Sequence, residues 1–190
     1  MILIVGLGNP GKEYEQSRHN TGFIVLDNIL GKVDWKNKGD FFLHKDFLGK
    51  SQIEYLKPQK FMNNSGQVIG PLVKNKKDLQ KLIVIYDDLD LPAGTMKISF
   101  NKSSGGHNGL ESIIKKLKSQ EFVRIRVGIS PITPSGKIRK PKGEEKIIKF
   151  ILGKYKEDEL KTLKKLSKKI AKALEIIINE GHPKAMSIFN

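Results

Sequence analysis

The feature that most constrains the fold is the alternation of short apolar runs with segments of helical periodicity. Residues 2–5, 82–86 and 123–129 are rich in apolar and β-branched residues and have the length of buried strands. Residues 110–117 have the apolar spacing of a helix, and residues 41–56 resemble a hairpin that turns at a glycine. This order of elements predicts an α/β fold of three layers, with a mixed, twisted β-sheet and helices on both of its faces.

The length of the chain fits one domain. A chain of 190 residues is long enough to bury a substantial core and short for two domains. We therefore expect a single domain over residues 1–190. Residues 130–145 contain three prolines, two glycines and several basic residues, which predicts a basic loop. Residues 157–179 have apolar positions at three- and four-residue spacing, which predicts a C-terminal amphipathic helix with a lysine-rich outer face.

Three absences narrow the function. The chain has no cysteine, which excludes disulfides, thiolate catalysis and cysteine-based metal sites. No apolar run reaches the roughly 18 residues that a membrane-spanning helix needs. The N-terminal segment also lacks the basic region and cleavage site of a signal peptide. We expect a cytoplasmic protein that has no membrane partner.

The net charge suggests a polyanionic partner. The chain has 35 lysine and arginine residues against 20 acidic residues, and its formal net charge is +15. RNA, DNA and anionic lipid are all compatible with this excess. The alternative is a charge that serves solubility or reflects a lysine-biased proteome, because lysine greatly outnumbers arginine.

The glycines after the first predicted strand match a dinucleotide-binding fingerprint, Gly6-x-Gly8-x-x-Gly11. The surrounding sequence does not fit that motif, because residues 12–18 lack the apolar face of the helix that should begin there. The glycines could instead form a simple turn. They could also let the backbone approach a ligand while Asn9 directs its amide into a cleft.

A histidine and an acidic cluster follow other predicted strand or helix boundaries. His19 stands in a polar segment before a helix, and imidazole titrates near neutrality, which suits a general base. Such a base needs an orienting carboxylate, and Asp87, Asp88 and Asp90 follow a predicted strand. A magnesium site formed by these three carboxylates is compatible with their spacing. The four histidines are scattered along the chain, and this disfavours a histidine metal site.

Asparagines occur in two further polar segments at predicted helix starts. Asn63 lies in Phe61-Met62-Asn63-Asn64-Ser65-Gly66, and Asn108 lies in Gly105-Gly106-His107-Asn108-Gly109. Amides can bind a peptide backbone or a ribose without adding charge. Helix capping and a flexible glycine loop are the structural alternatives for the same residues.

Taken together, these segments resemble a known family. The motifs are Gly6-Leu7-Gly8-Asn9-Pro10-Gly11, Tyr14 followed by Ser17-Arg18-His19-Asn20, the segment 61–66, Asp87-Asp88-Leu89-Asp90-Leu91-Pro92, and the segment 105–109. In this order and at this spacing they resemble bacterial-type peptidyl-tRNA hydrolase over residues 1–129. Phe150-Ile151-Leu152-Gly153 and the C-terminal helix are also similar.

The resemblance implies an activity and a set of catalytic residues. Members of the family hydrolyse the ester between a peptide and the 3′ ribose of tRNA, without a covalent intermediate. By motif, His19 would activate water and Asp87 would orient His19, which is the logic of a base with its orienting carboxylate. The resemblance further implies a monomer that needs no metal and no other cofactor.

The resemblance also implies substrate contacts. Asn9 would engage the peptide backbone, and Asn63 and Asn108 would hold the substrate and position the water. Tyr14 and Phe61 resemble aromatic residues that contact the substrate. Met62 would line the peptide cleft.

Given this resemblance, we expect the excess positive charge to bind the phosphate backbone of tRNA. Lysine and arginine contacts to phosphate supply most sequence-independent affinity for nucleic acid. The candidates near the glycine loop are Lys97, Lys102, Arg124 and Arg126, together with Lys115 and Lys116. Two other function classes are possible: a non-catalytic RNA-binding module, and a nucleotide-dependent oxidoreductase that uses the glycines of residues 6–11.

Overall fold

A computed structural model describes residues 1–190 and contains one seven-stranded mixed sheet. The strands are β1 (Ile2–Gly6), β2 (Lys36–Asn37), β3 (Phe41–Leu48), β4 (Ser51–Pro58), β5 (Leu82–Pro92), β6 (Met96–Phe100) and β7 (Val123–Ser130). Their order in the sheet is β2-β3-β4-β1-β5-β7-β6. The four central strands β4, β1, β5 and β7 are parallel to one another, and the outer strands pair antiparallel.

Helices cover both faces of the sheet. They are α1 (Thr21–Leu30), α2 (Ser65–Ile69), α3 (Lys76–Leu79), α4 (Asn108–Leu117), α5 (Glu144–Leu152), α6 (Glu157–Glu180) and α7 (His182–Phe189). Short 3-10 turns span Arg18–Asn20, Met62–Asn64 and Gly70–Leu72. Helices α1, α6 and α7 contribute to one hydrophobic core, and α2, α3 and α4 contribute to the other. The predicted three-layer α/β fold is confirmed.

The uniformly apolar strands follow from this layering. In β1, Ile4 belongs to the core under α1 and α6, while Leu3 and Val5 belong to the core under α2 and α4. Successive side chains of a strand point to opposite faces of a sheet. A central strand between two helical layers must therefore be apolar at every position, as residues 2–5 are.

The structure extends one predicted strand and adds elements that the sequence pattern missed. Strand β5 runs to Pro92, so that the acidic segment lies in a strand paired with β7. Residues 131–143 form the predicted loop, which contains a β-bridge between Ile132 and Ile138. Helix α6 matches the predicted C-terminal helix. The missed elements are β2, α3, α5 and α7, and each is short or has few buried side chains.

None of the helices is both long enough and apolar enough to cross a lipid bilayer.

Candidate active site

The glycine loop after β1 serves close packing of α1 against the sheet. A Cβ atom on Gly6 would collide with the backbone of Gly22 in α1, and one on Gly8 would lie 2.8 Å from the ring of Phe23. No helix begins within residues 6–11, since α1 starts only at Thr21. A dinucleotide fingerprint needs a helix that starts in the motif and presents its N-terminus to the pyrophosphate. The oxidoreductase alternative therefore loses its structural basis.

His19 and Asp87 lie together at the carboxyl edge of the sheet. The 3-10 turn before α1 presents His19, and β5 presents Asp87. The Nδ1 atom of His19 is 3.0 Å from Oδ2 and 3.1 Å from Oδ1 of Asp87. Both side chains are buried, with 6% of His19 and 3% of Asp87 exposed. The carboxyl ends of parallel strands thus bring the two residues together, as the sequence pattern indicates.

A second histidine shares the same carboxylate. The Nε2 atom of His107 is 3.1 Å from Oδ1 of Asp87. The Nδ1 atom of His107 accepts a hydrogen bond of 3.3 Å from the backbone N–H of Leu110, at the start of α4. Because Nδ1 accepts, the neutral ring of His107 carries its proton on Nε2 and donates it to Asp87. The motifs alone predict no role for His107, although it lies inside the glycine motif of residues 105–109.

The protonation of the pair follows from these contacts. Burial opposes ionisation of Asp87, but the charges of His19 and His107 and the hydrogen bonds from both rings outweigh burial and lower the pKa of Asp87. Burial likewise disfavours protonated His19, but the negative charge of Asp87 and its hydrogen bond raise the pKa of His19. Ionised Asp87 accepts the Nδ1 proton of neutral His19. This leaves Nε2 of His19, which has no hydrogen-bond partner in the protein, as a proton acceptor beside the cleft.

Asn9 is held so that one side of its amide stays free. Its Oδ1 accepts a hydrogen bond of 2.7 Å from the backbone N–H of Met62. Its backbone N–H and C=O both bond to the side chain of Asn20, at 2.9 Å each. The Nδ2 atom of Asn9 has no partner within the chain and is available as a donor. Asn20 is buried and positions Asn9, a role that the residue pattern alone does not distinguish from substrate binding.

The other predicted substrate residues have different surroundings. Asn63 and Asn108 are exposed and lie together at a second cavity, of about 440 Å³, beside the cleft. The rings of Tyr14 and Phe61 meet edge to face at 6.2 Å, and Phe61 is 54% exposed. The expectation that Met62 lines the peptide cleft is wrong. Its side chain is 4% exposed and packs in the core under α2 and α4, so that only its backbone serves the site, through Asn9.

A cleft of about 540 Å³ opens over the His19–Asp87 pair, within the usual range for ligand sites. One side is formed by β5 and the glycine loop, and the other by the loop of residues 131–143 and α5. Its lining includes His19, Asp87, Asp88, Asp90, Lys102, His107, Asn108, Arg126, Lys140, Ile147, Ile148 and Ile151. The cleft therefore combines a buried histidine–carboxylate cluster with basic and aliphatic walls.

The predicted tRNA-contacting residues divide into exposed and buried groups. Lys97 is exposed on β6, and Lys102 is exposed at the cleft. Arg126 also lines the cleft and donates from Nε to Asp88 at 2.7 Å. The prediction for Arg124 is wrong, because its side chain is fully buried and Nη1 donates to the carbonyl of Ser103 at 2.7 Å. Arg124 supports the glycine loop from inside and has no surface to offer a phosphate.

The acidic segment does not form a shared three-carboxylate site. Asp87 faces the two histidines, Asp88 pairs with Arg126, and Asp90 accepts from Lys140 at 2.7 Å. The histidines are scattered along the sequence, but the fold brings His19 and His107 together at Asp87. Ligand atoms of His19, Asp87 and His107 lie within 4.8 Å of one another, although both ring nitrogens that face Asp87 are at hydrogen-bond distance from it.

The comparison with known proteins decides the family. A sequence profile described as peptidyl-tRNA hydrolase matches residues 3–190. The chain belongs to the peptidyl-tRNA hydrolase family. The peptidyl-tRNA hydrolase of Thermotoga maritima is 40% identical over 190 residues, which are 100% of this chain and 97% of the relative. That of Aquifex aeolicus is 39% identical over 194 residues and covers 99% of this chain and 95% of the relative.

A solved structure agrees with this membership. The crystal structure of peptidyl-tRNA hydrolase from Acinetobacter baumannii superposes with a TM-score of 0.86 at 28% identity, over 100% of this chain and 94% of that one. The resemblance, the fold class and the hydrolase class predicted from the motifs are therefore confirmed. The peptidyl-tRNA hydrolase fold brings His19, Asp87 and Asn108 to the cleft and places Asn63 at the adjoining cavity.

Proposed function

We propose that this peptidyl-tRNA hydrolase cleaves the ester between peptide and 3′ ribose with His19 as the general base and Asp87 as its orienting carboxylate. His19 takes a proton from water through Nε2 while the water oxygen attacks the ester carbonyl carbon. The tetrahedral intermediate then expels the ribose oxygen, which receives the proton from imidazolium. Free tRNA and a peptide carboxylate are the products.

One observation carries this proposal. Nδ1 of His19 is 3.0 Å from a buried carboxylate, while Nε2 is unpartnered beside the cleft. The carboxylate fixes the tautomer and stabilises the imidazolium that forms during attack, as in other base–carboxylate pairs. His107 donates a second hydrogen bond to Asp87 and so restricts the carboxylate to one orientation. The mechanism needs no metal and no other cofactor.

The amides supply substrate contacts in this proposal. The free Nδ2 donor of Asn9 suits a carbonyl of the peptide backbone. Asn108 is the first residue of α4, where the helix dipole favours negative charge, and it stands beside the ester. Asn63 shares the second cavity with Asn108 and with Lys115 and Lys116, where the tRNA 3′ end would lie.

The exposed basic residues would bind the tRNA body. Lys97, Lys102 and Arg126 lie on or beside the cleft, and phosphate contacts do not require a particular base sequence. Half-buried Tyr14 and exposed Phe61 form an aromatic pair that would contact the substrate beside Asn9. We propose that the chain acts as a monomer and as one domain.

His19→Ala tests the proposal most directly. We expect turnover of an N-acetyl-aminoacyl-tRNA to fall about 10³-fold, because general-base catalysis is lost, while binding of the same tRNA is retained. His44→Ala is the matched control, since His44 lies on β3 away from the cleft and its ring contacts the carbonyl of Asp34. Unchanged turnover in His19→Ala would contradict the assignment. A wild-type protein that binds tRNA without turnover would favour the RNA-binding module.

A further inference from the structure

Arg18, the neighbour of His19, joins three elements behind the cleft. Its Nη2 atom donates to both carboxylate oxygens of Glu159 in α6, each at 2.9 Å. Its Nη1 atom donates to the carbonyls of Lys154 at 3.1 Å and Gly153 at 3.3 Å, directly after α5. Arg18 is not part of the cleft lining. Its contacts therefore point to a role in holding α5 and α6 against the turn that presents His19.

Stacking and backbone bonds reinforce the same junction. The guanidinium lies 4.6 Å from the ring centroid of Phe150 and 5.4 Å from that of Tyr155. The backbone N–H of Arg18 donates to Gly153 at 3.1 Å, and that of Tyr155 donates to Gln16 at 2.9 Å. Only 11% of the Arg18 side chain is exposed, so these contacts are largely shielded from water.

Helix α5 depends on this junction for its position. None of its residues is buried, and Ile148 is 45% exposed. Its aliphatic face of Ile147, Ile148 and Ile151 lines the cleft. The junction with Arg18 lies at the C-terminal end of the helix, next to Ile151. Phe150 and Ile151 pack partly against the core under α1 and α6, and the contacts of Arg18 fix the adjoining C-terminal end of the helix.

Glu159 links Arg18 to the core. One of its carboxylate oxygens also accepts the backbone N–H of Lys156 at 2.7 Å, which caps α6. Helix α6 is anchored by buried residues that include Leu163 and Ile170. The position of Glu159 is therefore set by the core, and Arg18 transmits that position to the end of α5.

We propose that Arg18 is a positioning residue that holds the isoleucine face of α5 over His19, where it packs against the peptide side chain nearest the ester. This inference rests on the proposed function and extends it to the choice of peptide. An aliphatic face suits an apolar side chain. It lacks the aromatic ring or guanidinium plane on which proteins stack a nucleotide base, since Phe150 is engaged by Arg18.

Arg18→Lys tests this proposal. Lysine keeps the positive charge, but it cannot bond to Glu159 and to the carbonyls after α5 through two separate nitrogens, and it cannot stack on Phe150. We expect the KM for N-acetyl-phenylalanyl-tRNA to rise about tenfold while kcat changes less than about twofold. The KM for N-acetyl-glycyl-tRNA, which has no side chain to pack against α5, should change little. The pH profile of kcat/KM should stay in place because Asp87 still holds His19. Equal rises in KM for both substrates would overturn the proposal.

Ile148→Ala is the second variant in this test, because it shortens a side chain of the α5 face itself. It should raise the KM for N-acetyl-phenylalanyl-tRNA and leave the KM for N-acetyl-glycyl-tRNA nearly unchanged. The double variant with Arg18→Lys should have no higher KM than either single variant, because both changes act through the α5 face. Additive effects in the double variant would overturn the proposal and assign Arg18 a separate role. If Arg18→Lys fails to fold, Glu159→Gln takes its place in this cycle.

Glu54→Gln is the matched control for Glu159→Gln. It makes the same change of charge and breaks an ion pair with Lys45 of 2.6 Å, at the far end of the sheet from the cleft. We expect it to leave both KM values unchanged. Retained turnover in His19→Ala would overturn the proposed function, whereas a missing substrate difference in Arg18→Lys would overturn only the role of Arg18.

Discussion

The two sides of the cleft differ in burial and in bonding. One side contains His19 and Asp87, together with Asn9, which is bonded to Asn20 in the same turn as His19. We call these residues the buried wall, and each is at most 7% exposed. The remaining lining includes Lys102, Arg126, residues of the loop 131–143 and α5. We call it the open wall, and its basic and aliphatic side chains are in contact with solvent. The buried wall is tied to the strand ends by hydrogen bonds, whereas the open wall is held by a few ion pairs and end contacts.

In the proposed mechanism, this difference corresponds to two tasks. Proton transfer needs a base whose orientation and protonation are set by a shielded partner, and burial strengthens the electrostatic effect of Asp87 on His19. Binding a large polyanion needs cations that can reach its phosphates, which buried side chains cannot do. Arg124 and Arg126 illustrate the distinction. They are two positions apart on β7, yet Arg124 is enclosed in the protein and Arg126 lines the cleft.

The largest effect that we expect in this comparison is on the buried wall. Asp87→Asn should lower kcat/KM about 10²-fold, because the carboxylate no longer fixes the tautomer of His19. Asp87 raises the pKa of His19, so its removal should lower that pKa. Since the base must be unprotonated, the acidic limb of the pH–rate profile should move to lower pH.

Asp88→Asn is the control for this change. It removes a neighbouring carboxylate that pairs with Arg126 and does not contact His19. The acidic limb should therefore stay in place in this variant. A limb that is unmoved or shifted to higher pH in Asp87→Asn would show that Asp87 does not stabilise the imidazolium.

A smaller effect is expected from the free amide of Asn9. Asn9→Asp keeps an oxygen for the backbone N–H of Met62 but replaces the Nδ2 donor by an acceptor. We expect kcat/KM for an N-acetyl-aminoacyl-tRNA to fall about tenfold, with thermal stability nearly unchanged. The preference over an aminoacyl-tRNA with a free amino group should narrow, because a carboxylate attracts the ammonium. An unchanged preference would argue that Asn9 serves only to hold Met62.

The smallest effect should come from the open wall. Lys102→Ala combined with Arg126→Ala should raise KM for full-length substrate about threefold, and should flatten its dependence on salt by about one unit of slope for each phosphate that the protein no longer binds. A short N-acetyl-aminoacyl ester of adenosine should be hydrolysed as by wild type. Equal losses on both substrates would instead indicate damage to the buried wall through Asp88.

Lys164→Ala combined with Lys168→Ala is the matched control for charge. These exposed lysines lie on α6 and make no ion pair. The same loss of two positive charges there should leave the salt dependence unchanged. If both double variants flatten the slope equally, the tRNA is attracted by the net charge of the whole protein and not by the cleft.

Much of the fold was predictable because local patterns report burial. Residues 2–5 are apolar at every position because β1 lies between two helical layers, and α6 has strict apolar periodicity because one of its faces is buried. Helices α5 and α7 escaped prediction because they have only nine and eight residues, and so short a segment contains too few turns for an apolar repeat to stand out. The acidic end of β5 escaped for a related reason, because its strand conformation comes from pairing with β7.

In the candidate site too, residue identity was predictable from the sequence, whereas side-chain direction was not. The motifs named His19, Asp87 and Asn9, because polar residues at strand ends stand out in sequence. They did not separate Asn9 from Asn20, because only the structure shows that the Asn20 amide is bonded to the backbone of Asn9 while the Nδ2 atom of Asn9 stays free. Met62 and Arg124 were misassigned for the same reason: a motif records which residue is present, not the direction of its side chain.

By itself, the sequence of this chain determined the three-layer α/β class, the order of the motifs and, through them, the family. These properties depend on apolar periodicity and residue identity, which are local. Only the tertiary structure decided that His107 joins His19 at Asp87, that Arg124 is enclosed while Arg126 is not, and that Arg18 ties α5 to α6. Such contacts join residues that are 20 to 141 positions apart, and the folded backbone alone sets their distances and directions.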